Sequence, residues 1–264
     1  MARILAITNQ KGGVGKTTTG VNLAASLAAA NQRVLLVDLD PQGNATMGSG
    51  IDKRTLTATV YHVLLSEKTI EDVRRRAGSD AYDVVPANRE LAGAEIEMVD
   101  LTHRETRLKY AIAKHADEYD YVLIDCPPAL NLLTLNGLTA AHAVMIPMQC
   151  EYYALEGLSD LVQTVKKVRE RLNPTLEIEG LLRTMYDPRN TLAQQVSEQL
   201  LQHFGDKVYR TVIPRNIRLA EAPSHGLPVM HFDRASKGAQ AYIALAGEML
   251  NRNPAPITVP APVA

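Results

Sequence analysis

Short apolar runs alternate along this chain with segments in which apolar residues recur at helical spacing. The runs predict strands at residues 4–8, 34–38, 82–86, 121–125, 143–148, 178–185 and 207–212. Two helical segments carry clear apolar stripes, one from Leu155 to Leu172 and one from Ala239 to Leu250. Strands interleaved with amphipathic helices predict an α/β fold, a doubly wound, mostly parallel sheet with helices on both faces. Ligands of such folds bind at the carboxyl ends of the strands.

Length and composition limit the classes of function. A chain of 264 residues suits one large domain, which we place at residues 1–252, followed by a disordered Pro/Ala-rich tail at residues 253–264. The net charge of −1 gives no global attraction for nucleic acid, so a nucleic-acid site must be a local basic patch. Two cysteines without C-x-x-C spacing and the lack of any run of about 18 apolar residues predict a cytoplasmic protein without disulfides or membrane spans. The seven dispersed histidines indicate no metal site other than one for Mg²⁺.

A glycine-rich loop between the first predicted strand and the first predicted helix carries the strongest chemical signal. It comprises Lys11, Gly12, Gly13, Val14, Gly15, Lys16, Thr17 and Thr18. A strand, such a loop and a helix together cradle phosphates, because backbone N–H groups turn inward and the helix directs its positive end at the same anion. We therefore expect Lys16 on the β- and γ-phosphates of a nucleotide and the Thr17 hydroxyl on Mg²⁺. The alternative is a glycine-rich turn with solvated lysines.

Carboxylates follow two of the predicted strands. Asp38 and Asp40 end the strand at residues 34–38, and Asp125 ends the strand at residues 121–125. Carboxylates at such strand ends, facing a phosphate loop, hold Mg²⁺ or orient a water. Asp125 is followed by Cys126, which we expect to be a buried, inert thiol, and by two prolines that stiffen the turn. Without the loop upstream, the Asp38–Asp40 segment reads equally well as a solvated turn.

These motifs resemble those of the ParA/MinD ATPases, which are P-loop NTPases with a deviant Walker A box. The two lysines of K-G-G-V-G-K-T-T match that box, D-x-D-P-Q-x-N from Asp38 matches switch I, and D-x-P-P from Asp125 matches switch II. The resemblance implies that Lys11 reaches the partner's nucleotide across a dimer interface and that Asp40 activates the attacking water. It also implies that Asp38 supports the loop and the Mg²⁺ shell, with Asp125 bound to Mg²⁺ through water.

Two later segments, at residues 184–190 and 213–226, closely resemble the partition-type ParA/Soj branch of this family. The resemblance implies that Pro214 and its neighbour Asn216 line the adenine, and that Arg189 and Arg218 contact DNA phosphates. From physical chemistry alone, isolated arginines are solvated surface charges. The resemblance also implies that Glu151 reaches the ribose of the nucleotide bound to the partner subunit. The alternative is that Glu151 is a carboxylate at a helix N-terminus that complements the helix dipole.

The resemblance thus implies a cytoplasmic, nucleoid-associated ATPase that uses ATP and Mg²⁺. ATP would hold a homodimer together, the dimer would bind non-specific double-stranded DNA, and a ParB-type centromere-binding protein with a basic N-terminal segment would stimulate slow hydrolysis. The alternatives are a MinD-like ATPase that positions proteins at membranes, and a regulator that positions a protein machine. Residues 253–264 contain no lysine or arginine, so we expect no stable membrane association.

Overall fold

The computed structural model describes residues 2–79 and 81–252, and the strands within them form one sheet. The strands are β1 (Arg3–Ile7), β2 (Val34–Asp38), β3 (Arg75–Arg76), β4 (Asp83–Val85), β5 (Tyr121–Asp125), β6 (Ala143–Gln149) and β7 (Glu177–Thr184). Their order across the sheet is β3-β4-β2-β5-β1-β6-β7. Every pair is parallel except β3 with β4, which is antiparallel at the edge.

Helices cover both faces of this sheet, which confirms the predicted doubly wound fold. The helices are α1 (Lys16–Ala29), α2 (Asn44–Gly48), α3 (Val60–Leu64), α4 (Ile70–Val73), α5 (Leu91–Glu97), α6 (Arg107–Ala113), α7 (Leu132–Ala140), α8 (Ala154–Arg171), α9 (Thr191–Phe204), α10 (Ile217–Glu221), α11 (Val229–Phe232) and α12 (Lys237–Arg252). Residues of α3 to α9 pack in one core cluster, and residues of α1, α2 and α10 to α12 pack in the other.

The alternation of side chains along the strands produces these two cores. In β1, Ile4 and Ala6 belong to one cluster, and Leu5 and Ile7 belong to the other. Every residue of β2 and β5 is buried. A strand buried on both faces has no polar face, so it reads as a continuous apolar run, and this is why the central strands were predictable.

The predicted strand at residues 207–212 is wrong. Residues Gly205–Lys207 form a 3₁₀ turn, and Val208 makes only an isolated bridge to Leu181 of β7. The backbone N–H groups of Arg210 and Thr211 instead donate to the Glu248 carboxylate, each at 2.8 Å, so the ladder cannot continue.

The edge strand β3 was not predicted, because two arginines carry no apolar signal. It is defined by its pairing with β4. The tail predicted at residues 253–264 lies outside the described residues. None of the helices in residues 2–79 and 81–252 is long and apolar enough to cross a bilayer.

Helix α7 packs on β5 through a glycine. A Cβ at Gly137 would lie 2.8 Å from Cys126 Sγ and 3.3 Å from Leu39 Cδ1. Cys126 is buried, as expected, and burial raises the pKa of its thiol. The close approach keeps the turn after Asp125 fixed against the helix behind it.

Gly137→Ala should therefore lower the free energy of unfolding by about 1–3 kcal/mol, because the added methyl group overpacks a closed core. The matched control is Gly247→Ala in α12, where nothing lies within 4 Å of the new Cβ. This control should raise stability by about 0.5–1 kcal/mol through helix propensity. Urea unfolding of both variants checks the pair, and equal effects would contradict the packing argument.

Candidate functional site

The loop between β1 and α1 has the backbone of an anion cradle. Gly13 and Gly15 have φ of 74° and 89°, a left-handed conformation that side chains with a Cβ rarely adopt. Gly15 is the N-cap of α1, and no side chain caps this helix. The first N–H groups of a 14-residue helix are thus left to a ligand, which suits a phosphate.

Lys16 lies inside this loop rather than in solvent. Its residue exposure is 7%, and its Nζ donates to the Lys11 carbonyl oxygen at 3.2 Å across the loop. Burial lowers the pKa of Lys16, and the nearby Asp125 and Asp40 carboxylates oppose that shift. An ammonium held at this depth gains most from an anionic partner such as a phosphate.

Two carboxylates stand side by side at the carboxyl ends of adjacent strands. Asp38 of β2 is in register with Asp125 of β5, and both side chains are fully buried. Neither Asp125 oxygen has a hydrogen-bond partner among the described residues. Burial and the Asp38 charge raise the pKa of Asp125, and the nearby Thr17 hydroxyl opposes the rise. Unpaired carboxylate oxygens beside a threonine hydroxyl fit a hydrated Mg²⁺.

Asp38 differs from Asp125, because its oxygens already accept hydrogen bonds within the protein. They accept hydrogen bonds from the Thr46 N–H at 2.8 Å, the Thr46 hydroxyl at 2.7 Å and the Asp40 N–H at 3.1 Å. Burial nevertheless raises the pKa of Asp38. These bonds fasten the start of α2 and shape the turn that carries Asp40. Thr46 was missed by the sequence analysis, since a threonine eight positions past Asp38 carries no motif.

Asp40 is less buried than the other two carboxylates. It lies in the turn after β2, where its Oδ1 accepts a hydrogen bond from the Gln42 N–H at 2.9 Å. Its charge acts on Lys16 and on Asp125, so it belongs to the same electrostatic group. A half-exposed carboxylate at the mouth of a phosphate loop can accept a proton from a bound water.

Lys11 lies at the rim of the loop, where its side chain forms an ion pair with Glu151. Both side chains are about half exposed, and the Lys11 N–H donates to Asn9 Oδ1 at 3.0 Å. Glu151 precedes α8, and within one chain it neutralises Lys11. The adjacent Tyr152 and Tyr153 are 74% and 72% exposed, so the rim is apolar beyond the ion pair.

A cavity of about 370 Å³ opens beside the loop. Gly15 and Thr18 line it on the loop side, and Pro214, Asn216 and Ile217 line it on the other. The Asn216 side chain accepts a hydrogen bond from the Arg218 N–H at 3.0 Å and caps α10, which fixes that wall. The position next to the phosphate cradle and the mainly apolar walls suit a nucleotide base.

The arginines predicted to contact DNA are both exposed and both paired. Arg189 forms an ion pair with Asp187 at 2.8 Å. Arg218 pairs with Glu221 at 2.8 Å and with Asp233 at 3.2 Å. Exposed pairs of this kind contribute little stability, so either guanidinium can exchange its carboxylate for a phosphate. Arg183 of β7, by contrast, is buried and donates to Ser197 and to two backbone carbonyls, which gives it a structural role.

Comparison with known proteins places this chain in a family. The family model described as "AAA domain" matches residues 2–178. The chain is 55% identical to the sporulation initiation inhibitor protein Soj of Bacillus subtilis, over 94% of this chain and 98% of that protein. It is 51% identical to the chromosome partitioning protein ParA of Caulobacter vibrioides, over 95% of this chain and 94% of that protein. One similar solved structure is that of cobyrinic acid a,c-diamide synthase from Mycobacterium smegmatis with bound ATP analogue and magnesium. It is 40% identical to this chain, with a TM-score of 0.84, and the match covers 96% of each chain.

The two buried carboxylates should respond oppositely to amidation. Asp125→Asn removes a buried charge that only the nearby Thr17 hydroxyl and the Lys16 charge offset, so it should raise nucleotide-free stability by about 1 kcal/mol while weakening Mg²⁺-dependent nucleotide binding. Asp38→Asn disrupts three hydrogen bonds and should lower stability by about 1–3 kcal/mol. Thermal unfolding with and without Mg²⁺ and nucleotide measures both. Destabilisation by Asp125→Asn would contradict the assignment of an uncompensated carboxylate.

Proposed function

Because the chain belongs to the ParA/Soj family of chromosome-partitioning ATPases, we propose that it segregates DNA through an ATP-gated dimer. Its nucleotide is ATP and its metal ion is Mg²⁺. The relative named for chromosome partitioning is 51% identical, whereas the structure named for diamide synthesis is 40% identical. One observation carries the proposal. Lys11, at the rim of the loop, forms an ion pair with Glu151 and so lies outside the phosphate cradle of its own subunit.

Within one subunit the residues divide the work on ATP. The backbone from Gly12 to Gly15 and the side chains of Lys16 and Thr18 bind the phosphates, and the cavity beside Pro214 and Asn216 takes the adenine. Thr17 would hold Mg²⁺ directly, with Asp38, Asp40 and Asp125 behind its water shell. When bound, Mg²⁺ neutralises charge on the β- and γ-phosphates. The Asp40 carboxylate then orients the attacking water and takes up its proton.

Exposed apolar side chains beside the loop support a dimer. Tyr152 and Tyr153 are 74% and 72% exposed next to Glu151, and exposed aromatic groups beside a functional loop favour coverage by a partner. A two-fold contact places the same patch on both subunits. Lys11 would then leave Glu151 and reach the partner's phosphates, and Glu151 would be free to reach the partner's ribose.

DNA binding follows from the pairing of subunits. Arg189 comes shortly after β7 in the sequence, and Arg218 comes directly after Ile217, which lines the cavity. A dimer carries two copies of each arginine. Affinity for DNA rises steeply with the number of phosphates neutralised, so a weak monomer becomes an effective dimer. Phosphate contacts carry no base information, and the dimer would bind duplex DNA of any sequence. Such binding would associate the protein with the nucleoid.

Hydrolysis ends the DNA-bound state. The described residues place no arginine inside the phosphate cradle, so we propose a slow intrinsic rate that a ParB-type partner stimulates. A MinD-like role at a membrane is the alternative. Helix α12 disfavours it, since Tyr242, Leu245 and Met249 on its apolar face are buried in the core and not available to lipid.

The first test is binding to non-specific duplex DNA without nucleotide, with ADP and with a non-hydrolysable ATP analogue, over a salt series. We expect binding with the ATP analogue alone and a steep fall with salt. Arg189→Ala combined with Arg218→Ala should reduce the slope of log affinity against log salt by roughly 0.9 per lost phosphate contact, with dimers retained. The control, Arg33→Ala with Arg169→Ala, removes the same charge near the amino ends of β2 and β7. Unchanged DNA affinity in the first variant would rule out the patch.

Replacement of Asp40 separates hydrolysis from binding. Asp40→Ala should slow single-turnover hydrolysis by about 10²–10⁴-fold and leave ATP-dependent dimers and DNA binding intact. Asp40→Asn retains an acceptor for the Gln42 N–H, so it controls for the shape of the turn. Both variants should be equally slow. Wild-type hydrolysis by Asp40→Asn would show that the carboxylate is not the catalytic group.

A further inference from the structure

Two neighbouring strands brace the outer side of the phosphate loop. Backbone N–H groups that turn inward toward an anion leave carbonyl groups turned outward, and a buried carbonyl needs a donor. The Thr184 hydroxyl, at the carboxyl end of β7, donates to the Val14 carbonyl oxygen at 2.8 Å. The Gln149 side-chain amide, at the carboxyl end of β6, donates to the Gly13 carbonyl oxygen at 3.4 Å. Two successive carbonyls of the loop are thus held from outside.

The bond from Thr184 acts on one N–H group of the cradle. A trans peptide group is planar, and its carbonyl and its N–H point in opposite directions. Because Thr184 holds the Val14 carbonyl outward, the Gly15 N–H of the same peptide group is held toward the inside of the loop. Val14 and Thr184 are 1% and 2% exposed, so water does not replace this bond when it is lost.

The carboxyl end of β7 also forms part of the base cavity. Met185 lines this cavity, and its φ of 48° is a left-handed conformation that is uncommon for a residue with a Cβ. Its Sδ accepts a hydrogen bond from Gln149 Nε2 at 2.9 Å. The Tyr186 N–H donates to the carbonyl of Ile213, another lining residue, at 3.0 Å. These contacts fix an uncommon backbone conformation between the phosphate loop and the cavity.

The turn that carries Asp40 has separate supports on the other side of the sheet. Thr46 Oγ1 accepts a hydrogen bond from the Ala87 N–H at 2.9 Å, and a Cβ at Gly43 would lie 2.6 Å from the Ala87 carbonyl oxygen. Strand β2, which precedes this turn, is separated from β7 by β5, β1 and β6. A change at the end of β7 should therefore act on the binding of the nucleotide and leave the hydrolytic turn in place.

We propose that Thr184 and Gln149 are positioning residues for nucleotide binding. They hold the outward carbonyls of the loop, so the N–H groups between those carbonyls face the phosphates before the nucleotide arrives. The same strand ends hold Met185 in the wall of the base cavity, which sets the spacing between the phosphates and the base. A site that is ordered in advance loses less free energy when the ligand binds. This inference rests on the proposed function, because it concerns the same ATP site.

ADP binding by Thr184→Val tests the inference. Valine keeps the shape of the side chain and removes the hydroxyl, so Mg²⁺–ADP should bind about tenfold more weakly in isothermal titration calorimetry. Thr184→Ser keeps the donor and should bind within about twofold of wild type. The matched control is Thr164→Val in α8, which also removes a hydroxyl bond to a backbone carbonyl, that of Asp160, and should bind like wild type. Wild-type affinity in Thr184→Val, or no recovery in Thr184→Ser, would overturn the proposal.

Pyrophosphate and hydrolysis distinguish the cradle from the other parts of the site. Pyrophosphate has no base, so Thr184→Val should weaken its competition against a fluorescent ADP derivative by the same factor as it weakens ADP. A loss confined to ADP would place the effect in the base cavity and overturn the assignment. In steady-state hydrolysis, this variant should raise KM about tenfold and keep kcat. A lower kcat with an unchanged KM would contradict a role in binding.

Gln149→Leu gives a second measurement that does not depend on a buried hydroxyl. Gln149 is partly exposed, and its replacement removes the donor to the Gly13 carbonyl, so ADP should bind about threefold more weakly. Thermal unfolding without nucleotide shows that each variant is folded, and Gln149→Leu decides the case if Thr184→Val does not fold. Lack of ADP binding by wild type would refute the proposed function itself. Binding by wild type that neither variant weakens would refute this inference alone.

Discussion

The candidate site depends on two buried carboxylates at the ends of neighbouring strands. Asp38 and Asp125 are in register and have no exposed surface, so two negative charges compete for one dry volume. The protein compensates one of them far better than the other: Thr46 and the Asp40 N–H satisfy Asp38, while Asp125 has only the nearby Thr17 hydroxyl and the Lys16 charge. A bound cation would neutralise the remaining charge on Asp125, and this carboxylate lies near Lys16 and Thr17.

The same arrangement explains what could be predicted from the sequence. The loop from Lys11 to Thr18 and the carboxylates after β2 and β5 have fixed spacings from apolar runs, so both the motif and its place in the sheet were predictable. The wrong strand at residues 207–212 and the missed β3 lie at the sheet's margins. There, side-chain acceptors and single bridges replace the ladder, and apolar content no longer reports pairing.

Contacts between distant segments were beyond the sequence. Thr46, Ala87 and Gly43 carry no motif, yet they join α5 to the turn of Asp40. The ion pair of Lys11 with Glu151 joins residues 140 positions apart, and it gives Glu151 a partner in its own chain that neither interpretation of its sequence position included. Each depends on which surfaces the fold brings together, and that information resides in the packing of the helices rather than in local composition.

The close approach at Gly43 also limits which amino acids can replace this glycine. Every amino acid that replaces glycine brings a Cβ, and at this position that atom would meet the Ala87 carbonyl oxygen at 2.6 Å and Lys53 Cδ at 2.9 Å. No missense codon therefore offers a mild substitution. Position 43 should be as depleted in a saturation library as Lys16, although glycine has no side chain that could take part in catalysis.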